Sequence, residues 1–201
     1  YGYSAGANVR DLTAQIELVN SAEQQADINS ICLGDSAEFE GQAEYKVSQW
    51  IWDYGDGTRD TAQFTKHMFQ DTGTYKVYLY TYKVLFDGCS TYDSTLMEVR
   101  VNSKPISDFG HTLLCEKATV NFYDSSKAKG DDNIISRQWI FHNNSTKYAV
   151  NSSFYYDTSG QFDVRFIVKT DHQCTDTMKR TITISPLPIA DFTVEDVCFF
   201  D

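Results

Sequence analysis

Apolar and polar side chains alternate along several short segments of the chain. Val77 and Leu79 fall on one face of a predicted strand, whereas Lys76 and Tyr78 fall on the other. The same alternation runs through residues 162–169. A period of two predicts half-buried strands, and no amphipathic helix of useful length competes with them. The pattern therefore predicts an all-β fold in which two antiparallel sheets pack face to face.

Two tryptophans and two turn signals refine this prediction. Trp52 and Trp139 belong to the apolar sets of their strands, so we expect each to lie between the two sheets. Asp-Gly at 56–57 tolerates the positive φ of a tight turn. His-Asn-Asn-Ser at 142–145 stands at the matching place, where asparagine supplies the same tolerance.

The chain also repeats itself. Pro-Ile-Ser-Asp-Phe at 105–109 recurs as Pro-Ile-Ala-Asp-Phe at 188–192, and the period of about 85 residues indicates tandem modules. We expect residues 1–21 to form the last strand of an upstream module, 22–103 and 104–186 to form two whole modules, and 187–201 to begin a further one. On this interpretation the chain is an interior part of a longer polypeptide.

Composition narrows the partners. The chain has 28 acidic residues against 17 lysines and arginines, a net charge of −11, so it has no basic surface to attract nucleic acid. We expect no nucleic-acid partner and no insertion of this segment into a membrane.

Five cysteines follow the repeat. Cys32 and Cys89 stand at places equivalent to Cys115 and Cys174, and Cys198 takes the first of these places again. We predict the disulfides Cys32–Cys89 and Cys115–Cys174, each within one module and each worth about 4 kcal/mol, with Cys198 unpaired here. A bond between modules would contradict this register. Disulfides indicate an oxidising compartment, although buried free thiols and, less favoured, a zinc site are alternatives.

One motif resembles a known family. Trp-Asp-Tyr-Gly-Asp-Gly at 52–57, His-Met-Phe at 67–69 and Gly-Thr-Tyr-Lys-Val-Tyr-Leu at 73–79 look like the signature of the polycystic kidney disease (PKD) domain. The resemblance implies tandem immunoglobulin-like β-sandwiches. The second module loses the Asp-Tyr-Gly-Asp-Gly run, so it resembles a divergent copy.

The resemblance also implies a function. A cysteine pair in each module is similar to tandem PKD arrays in very large surface proteins of gliding bacteria, which use the type IX secretion route. It implies a secreted, non-catalytic stalk or adhesive segment of an adhesin on the bacterial outer surface, with neighbouring repeats of the same chain as partners. The alternatives are a carbohydrate- or protein-binding module and the accessory region of a secreted hydrolase.

Candidate chemistry is sparse. The chain has no nucleophile elbow, no His-Glu-Xaa-Xaa-His pair and no phosphate-binding glycine loop, so we expect no enzyme activity and no cofactor. Asp53, Asp56 and Asp60 could gather around calcium, but the second module lacks them.

A row of tyrosines is the main candidate for ligand binding. Tyr78, Tyr80 and Tyr82 fall on the strand face opposite Val77 and Leu79. Rigid amphipathic rings of this kind bind sugars or proteins, so a surface polysaccharide or a protein partner is expected at this row. The alternative is that the rings pack against a neighbouring strand or module.

Overall fold

The computed structural model of the chain is all-β. It describes residues 29–43, 47–84 and 90–193, together with the backbone of 14–18. Fifteen strands are found in this part of the chain. None of the described residues belongs to a helix that is long and apolar enough to cross a membrane.

The chain divides into two compact units. Unit 1 contains the described residues up to Pro105 together with Ala128–Asn133 and Thr170–Thr175. Unit 2 contains the described residues of Ile106–Lys127, Ile134–Lys169 and the segment from Asp176 onward. Two short segments from the second repeat therefore belong to unit 1.

Unit 1 is a sandwich of two sheets. Its strands are β1 (Ala14–Leu18), β2 (Ser30–Cys32), β3 (Ala37–Ala43), β4 (Gln49–Asp53), β5 (Arg59–Asp60), β6 (Phe64–His67), β7 (Gly73–Val84) and β8 (Ser90–Asn102). One sheet has the order β1-β3-β6, and the other has the order β2-β8-β7-β4-β5. Strand β2 runs parallel to β8, whereas the pairs β1–β3, β3–β6, β4–β5, β4–β7 and β7–β8 are antiparallel.

Unit 2 repeats this plan. Its strands are β9 (Phe109–His111), β10 (Ala118–Asp124), β11 (Ile134–Ile140), β12 (Thr146–Lys147), β13 (Ser152–Tyr156), β14 (Gly160–Thr170) and β15 (Thr175–Ile184). The sheet orders are β13-β10-β9 and β12-β11-β14-β15. The all-β tandem immunoglobulin-like fold is confirmed, and the predicted antiparallel sheets are found, with the parallel pair β2–β8 as the exception.

A tryptophan lies at the centre of each core. Trp52 and Trp139 are both fully buried, as predicted. Each indole nitrogen donates to a backbone carbonyl ten residues further on, at 2.7 Å to Ala62 and 3.0 Å to Ala149. Because the two indoles bond in the same way at matching places, the two units share one core design.

The strand alternation places the remaining core residues. In unit 1 the buried cluster joins both sheets through Phe39, Val77, Leu79 and Val99. In unit 2 the inward positions of β14 are fully buried, and they are Val164, Phe166 and Val168. The predicted inward and outward faces of β7 and β14 are confirmed.

The first strand lies in a position that differs from the expectation. Ala14–Leu18 pairs antiparallel with β3, so that Leu18 stands opposite Phe39. The pairing includes this strand in a sheet of unit 1, whereas the repeat register assigned residues 1–21 to the end of an upstream module. In unit 2, β9 pairs with β10 at the corresponding edge.

The turn after each tryptophan strand forms as expected. Thr58 donates its backbone N–H to Asp56 Oδ1, and Ser145 donates to Asn143 Oδ1, both at 2.9 Å. The residue between each pair has a positive φ, 91° at Gly57 and 62° at Asn144. Asparagine therefore replaces glycine in the second turn, as predicted.

We expect Trp52→Ala and Trp139→Ala each to lower the free energy of unfolding by about 3 to 5 kcal/mol, because each leaves a large cavity between two sheets. Denaturant titration of each variant measures the loss. Exposed Tyr148→Ala is the matched control and should cost less than about 0.5 kcal/mol. A loss below about 1 kcal/mol at either tryptophan would contradict the described core.

Candidate functional site

A disulfide in unit 1 joins the two repeats of the sequence. Cys32 at the end of β2 is bonded to Cys174 in the turn between β14 and β15, with a Cα–Cα distance of 5.6 Å and a sequence separation of 142 residues. Thr170–Thr175, which carries Cys174, belongs to unit 1. The bond therefore closes a loop that contains most of both repeats.

Polar side chains surround this bond. Asn102, next to Cys32 in the parallel register, donates its amide to Ser30 Oγ at 2.5 Å. Ser103 Oγ donates to the Lys129 carbonyl at 3.1 Å and lies 3.3 Å from Asp132 Oδ2. These contacts tie Ala128–Asn133 to the end of β8 within unit 1.

A histidine and two aspartates lie in the same region. His172 Nδ1 is 2.7 Å from Asp132 Oδ1 and 3.3 Å from Asp171 Oδ1. Two hydrogen bonds from Asn133 lower the pKa of the Asp171 carboxyl below its usual value. The larger effect comes from the Asn133 side chain and the smaller one from its backbone N–H. Among the described residues these three side chains form the one group close enough to hold a metal ion. Their polar atoms bond to one another and to Asn133, and these contacts connect Ala128–Asn133 with Thr170–Thr175 within unit 1.

The predicted disulfide pairing is wrong. Cys32 and Cys174 are bonded to each other rather than to Cys89 and Cys115, and Cys115 is a free, half-buried thiol. Cys89 and Cys198 lie outside the described residues.

Strand length explains why pairing within a repeat fails. Cys32 pairs with Asn102 at one end of β8, a strand of 13 residues, whereas Ser90 lies at the other end. At 3.4 Å per residue these ends are roughly 40 Å apart, far beyond the Cα separation of a disulfide, about 4.4 to 6.8 Å. Cys115 pairs with Ser185, just after β15, and is likewise a strand length from Cys174. The expectation that a bond between repeats would contradict the repeat register is therefore wrong too.

The Trp-Asp-Tyr-Gly-Asp-Gly motif builds a second polar network. Thr65 Oγ1 donates its single proton to Asp60 Oδ2 at 2.5 Å. The Tyr54 hydroxyl lies 2.8 Å from Thr65 Oγ1 and is therefore the donor in that second hydrogen bond. Burial raises the pKa of Tyr54 to about 12. His67 stacks on the Tyr54 ring at 3.9 Å between centroids and contacts Asp56 through Nε2 at 2.7 Å. The sequence did not single out Thr65, because alternation on β6 would place the apolar Phe64 inward, whereas Phe64 is exposed and Thr65 is buried.

The proposed calcium candidates are engaged by protein groups. Asp53 accepts from the Arg59 guanidinium at 2.8 and 3.0 Å. Asp56 accepts from Thr58, and Asp60 accepts from Thr65 and from the Thr61 backbone. Each carboxylate thus supports the turn or the strand that follows it.

Unit 2 has aromatic rings where unit 1 has the polar network of Tyr54, Thr65 and Asp60. The strand registers put Phe141 and Lys147 where unit 1 has Tyr54 and Asp60. Phe141 stacks on Phe154 at 4.6 Å, and Lys147 lies 5.8 Å from the centre of the Phe141 ring. His142 packs against Phe162 at 4.5 Å. The polar network is therefore specific to unit 1.

The tyrosine row lies where the alternation predicted it. Tyr78, Tyr80 and Tyr82 are half-buried on the face of β7 that points away from the core. The Tyr78 and Tyr80 rings are nearly parallel at 6.1 Å. On β8, Leu96 and Tyr92 stand opposite Tyr78 and Tyr82, and these two side chains are 46% and 69% exposed. The row therefore belongs to a mixed aromatic and aliphatic surface, and ligand binding there stays a prediction.

Sequence comparison identifies the repeated unit. The family described as PKD domain matches residues 21–99 and 102–185, which together make up most of the chain. The chain belongs to the PKD domain family. The sequence repeat predicts module limits of 22–103 and 104–186, next to these matched ranges of 21–99 and 102–185.

Several solved structures are similar to this PKD chain. The PKD1 domain of the Vibrio cholerae metalloprotease PrtV is 27% identical over 40% of this chain and 96% of its own, with a TM-score of 0.37. The PKD1 domain of Vibrio anguillarum Epp is 24% identical over 43% and 99%, with a TM-score of 0.39. Three N-terminal domains of the bacteriophage RB49 outer capsid protein Hoc are 13% identical over 89% and 71%, with a TM-score of 0.44. The family assignment rests on the sequence match.

Family membership bears on function at a coarse level. PKD domains are typically extracellular, non-catalytic modules. The disulfide agrees with an extracellular or secreted module, because disulfides persist in oxidising compartments.

We expect the Asp60 carboxylate to stabilise unit 1 in a pH-dependent way. Two hydrogen bonds lower the pKa of Asp60 below its ordinary value of 3.8. The Thr65 hydroxyl donates the one with the larger effect, and the Thr61 backbone N–H donates the other. Because the folded pKa is the lower one, this stabilisation is complete above pH 3.8 and is lost as the pH falls through the folded pKa. Asp60→Asn should therefore cost about 1 kcal/mol at pH 7, and the difference from wild type should shrink below pH 3.8.

Denaturant titration of both proteins between pH 7 and about pH 2.5 measures this difference. Exposed Asp71→Asn is the matched control and should change stability by less than about 0.5 kcal/mol at pH 7. A cost at Asp60 that stays constant or grows in acid would show that the carboxylate does not act as described.

Proposed function

We propose that this chain is part of the stalk of a large extracellular adhesin, of the gliding-motility kind exported by the type IX route. The observation that carries the proposal is the Cys32–Cys174 bond, whose partners come from different repeats of the sequence. Tandem PKD modules and a bond that spans them suit a segment that transmits tension between a cell surface and a distant contact.

The bond changes the path of a tensile load. Force that enters before residue 32 and leaves after residue 174 passes through the disulfide, so the chain between them cannot be extended. In the chain-entropy model a closed loop of this length also stabilises the fold by about 5 kcal/mol. Both effects favour a load-bearing role.

The side chains that could do chemistry support the fold instead. His67 contacts Asp56, and His172 contacts Asp132. His142 packs among the aromatic rings of unit 2. These contacts favour a non-catalytic role for the two modules.

We expect the unfolded length of the chain under force to depend on its redox state. When the whole chain is pulled by its two ends, reduction should lengthen its fully unfolded contour by up to about 50 nm. This follows because 142 residues are released at no more than about 3.6 Å each. Force spectroscopy with and without a reductant measures the difference.

Cys115→Ser is the matched control, because this thiol is free in the structure. It should leave both lengths unchanged, whereas Cys174→Ser should give the longer length in both redox states. Equal lengths for the oxidised and reduced wild type would remove the mechanical proposal.

A second candidate function is binding of a polysaccharide. The observation that favours it is the nearly parallel pair Tyr78 and Tyr80, with exposed Tyr92 and Leu96 beside the row. Exposed aromatic faces bind sugar rings, and the net charge of −11 favours a neutral polysaccharide over an acidic one. A neutral surface glycan is therefore the ligand class we assign to this candidate.

We expect Tyr78→Ala combined with Tyr80→Ala to weaken binding to soluble β-glucan by about tenfold, the equivalent of 1.4 kcal/mol. Affinity electrophoresis of the folded chain measures the dissociation constant. Tyr155→Ala, an exposed tyrosine on β13, is the control and should bind like wild type. Wild type that migrates identically with and without the glucan would exclude this candidate.

A further inference from the structure

The backbone around Cys32 recurs around Cys115. Cys32 pairs in parallel register with Asn102, and Cys115 forms a parallel bridge with Ser185. The residue after each cysteine donates its backbone N–H to the carbonyl of that cysteine's partner. Leu33 donates to Asn102 at 2.8 Å, and Glu116 donates to Ser185 at 2.9 Å. Cys115 thus holds the place in unit 2 that the bonded Cys32 holds in unit 1.

The turn after each of these cysteines also matches. Two residues beyond them the backbone takes a positive φ, 85° at Gly34 and 54° at Lys117. A lysine in this conformation is unfavourable by roughly 1 to 2 kcal/mol, so the surrounding fold imposes the turn. Cys115 is therefore presented on the same backbone as Cys32, and its thiol is free and half-buried.

The partner of Cys32 is a cysteine at the tip of a long hairpin. Gln173, just before Cys174, has a φ of 66°, and Thr170 donates its N–H to the Cys174 carbonyl at 2.9 Å. In the sequence of the first repeat, Gly88 stands just before Cys89, and glycine adopts such a φ without strain. Cys32 and Cys115 thus share one position, which we call the receptor position, and Cys174 is a hairpin cysteine; Cys89 takes the matching place in the sequence of the first repeat.

The two cysteines of one repeat cannot meet. Cys115 lies beside Ser185 at one end of β15, and Cys174 precedes Thr175 at the other end. The 10 residues of β15 separate them by more than roughly 30 Å. A receptor cysteine thus needs the hairpin cysteine of a different repeat, and in the observed bond the hairpin belongs to the repeat that follows.

We propose that Cys115 is a disulfide acceptor for the hairpin cysteine of a further PKD repeat that follows the second one in the same polypeptide. Residues 188–192 repeat the start of the second module, which points to such a repeat as the partner. The inference deepens the stalk function and rests on it, because it extends one bond between repeats into a regular series.

The reaction is an ordinary thiol oxidation. The two thiols lose two protons and two electrons as the S–S bond forms, and a disulfide donor such as oxidised glutathione accepts both and leaves as two thiols. In the exported protein a thiol–disulfide oxidoreductase is the donor class.

The test adds one repeat to the complete chain. Residues 105–187 are inserted a second time after residue 187, where the repeated Pro-Ile motif keeps the register. The protein is refolded with oxidised and reduced glutathione, its free thiols are alkylated in denaturant without a reductant, and its peptides are mapped. We expect Cys115 bonded to the inserted copy's cysteine that corresponds to Cys174, with Cys32–Cys174 retained in the same molecules.

Two matched variants check the assignment. In the extended chain, Cys115→Ser should leave the inserted hairpin cysteine fully alkylated, whereas Cys198→Ser should leave the new bond intact. Alkylated Cys115, or Cys115 bonded to any other cysteine, would overturn the inference while Cys32–Cys174 supports the stalk proposal. Loss of Cys32–Cys174 in the original chain as well would overturn both.

Discussion

The length of a β-hairpin is the constraint from which the arrangement of cysteines follows. Strand β8 in unit 1 has 13 residues and strand β15 in unit 2 has 10. Each strand begins at a hairpin turn and ends beside Cys32 or Cys115. Because extended backbone is stiff and rises about 3.4 Å per residue, the two ends stay far apart. Cys115 and Cys174 of the second repeat therefore cannot meet, and Cys174 is bonded instead to Cys32 of the first repeat.

Joining modules in this way has a mechanical consequence. A second bond from Cys115 would begin inside the loop that Cys32–Cys174 closes, so successive loops would overlap along the chain. Tension would then pass through sulfur bridges and short linking segments, while the sandwiches between them stay shielded. The fold would not need an exceptionally strong core, which agrees with two small aromatic cores of ordinary design.

The two units also show how one fold position accepts different chemistry. Unit 1 connects Tyr54, Thr65 and Asp60 by hydrogen bonds, and unit 2 fills the matching place with Phe141 and Phe154. Unit 1 keeps the buried polar groups of its network hydrogen-bonded. Unit 2 is mostly apolar there, but Phe154 packs against Tyr156, whose buried hydroxyl has no hydrogen-bond partner among the described residues. The family signature is therefore one of two ways to close this end of the sandwich, and its aspartates serve the fold.

The sequence by itself determined the strand faces, the burial of Trp52 and Trp139, the tandem register and the PKD family, because these depend on local alternation and on motifs within one repeat. It did not determine that Cys32 bonds to Cys174, or that Ala14–Leu18 pairs with β3. Equivalent cysteines recur at the same spacing, so pairing within a repeat and pairing between repeats look alike in one dimension. Only the tertiary structure decided between them, because it places Cys115 and Cys174 of the second repeat at opposite ends of the rigid strand β15.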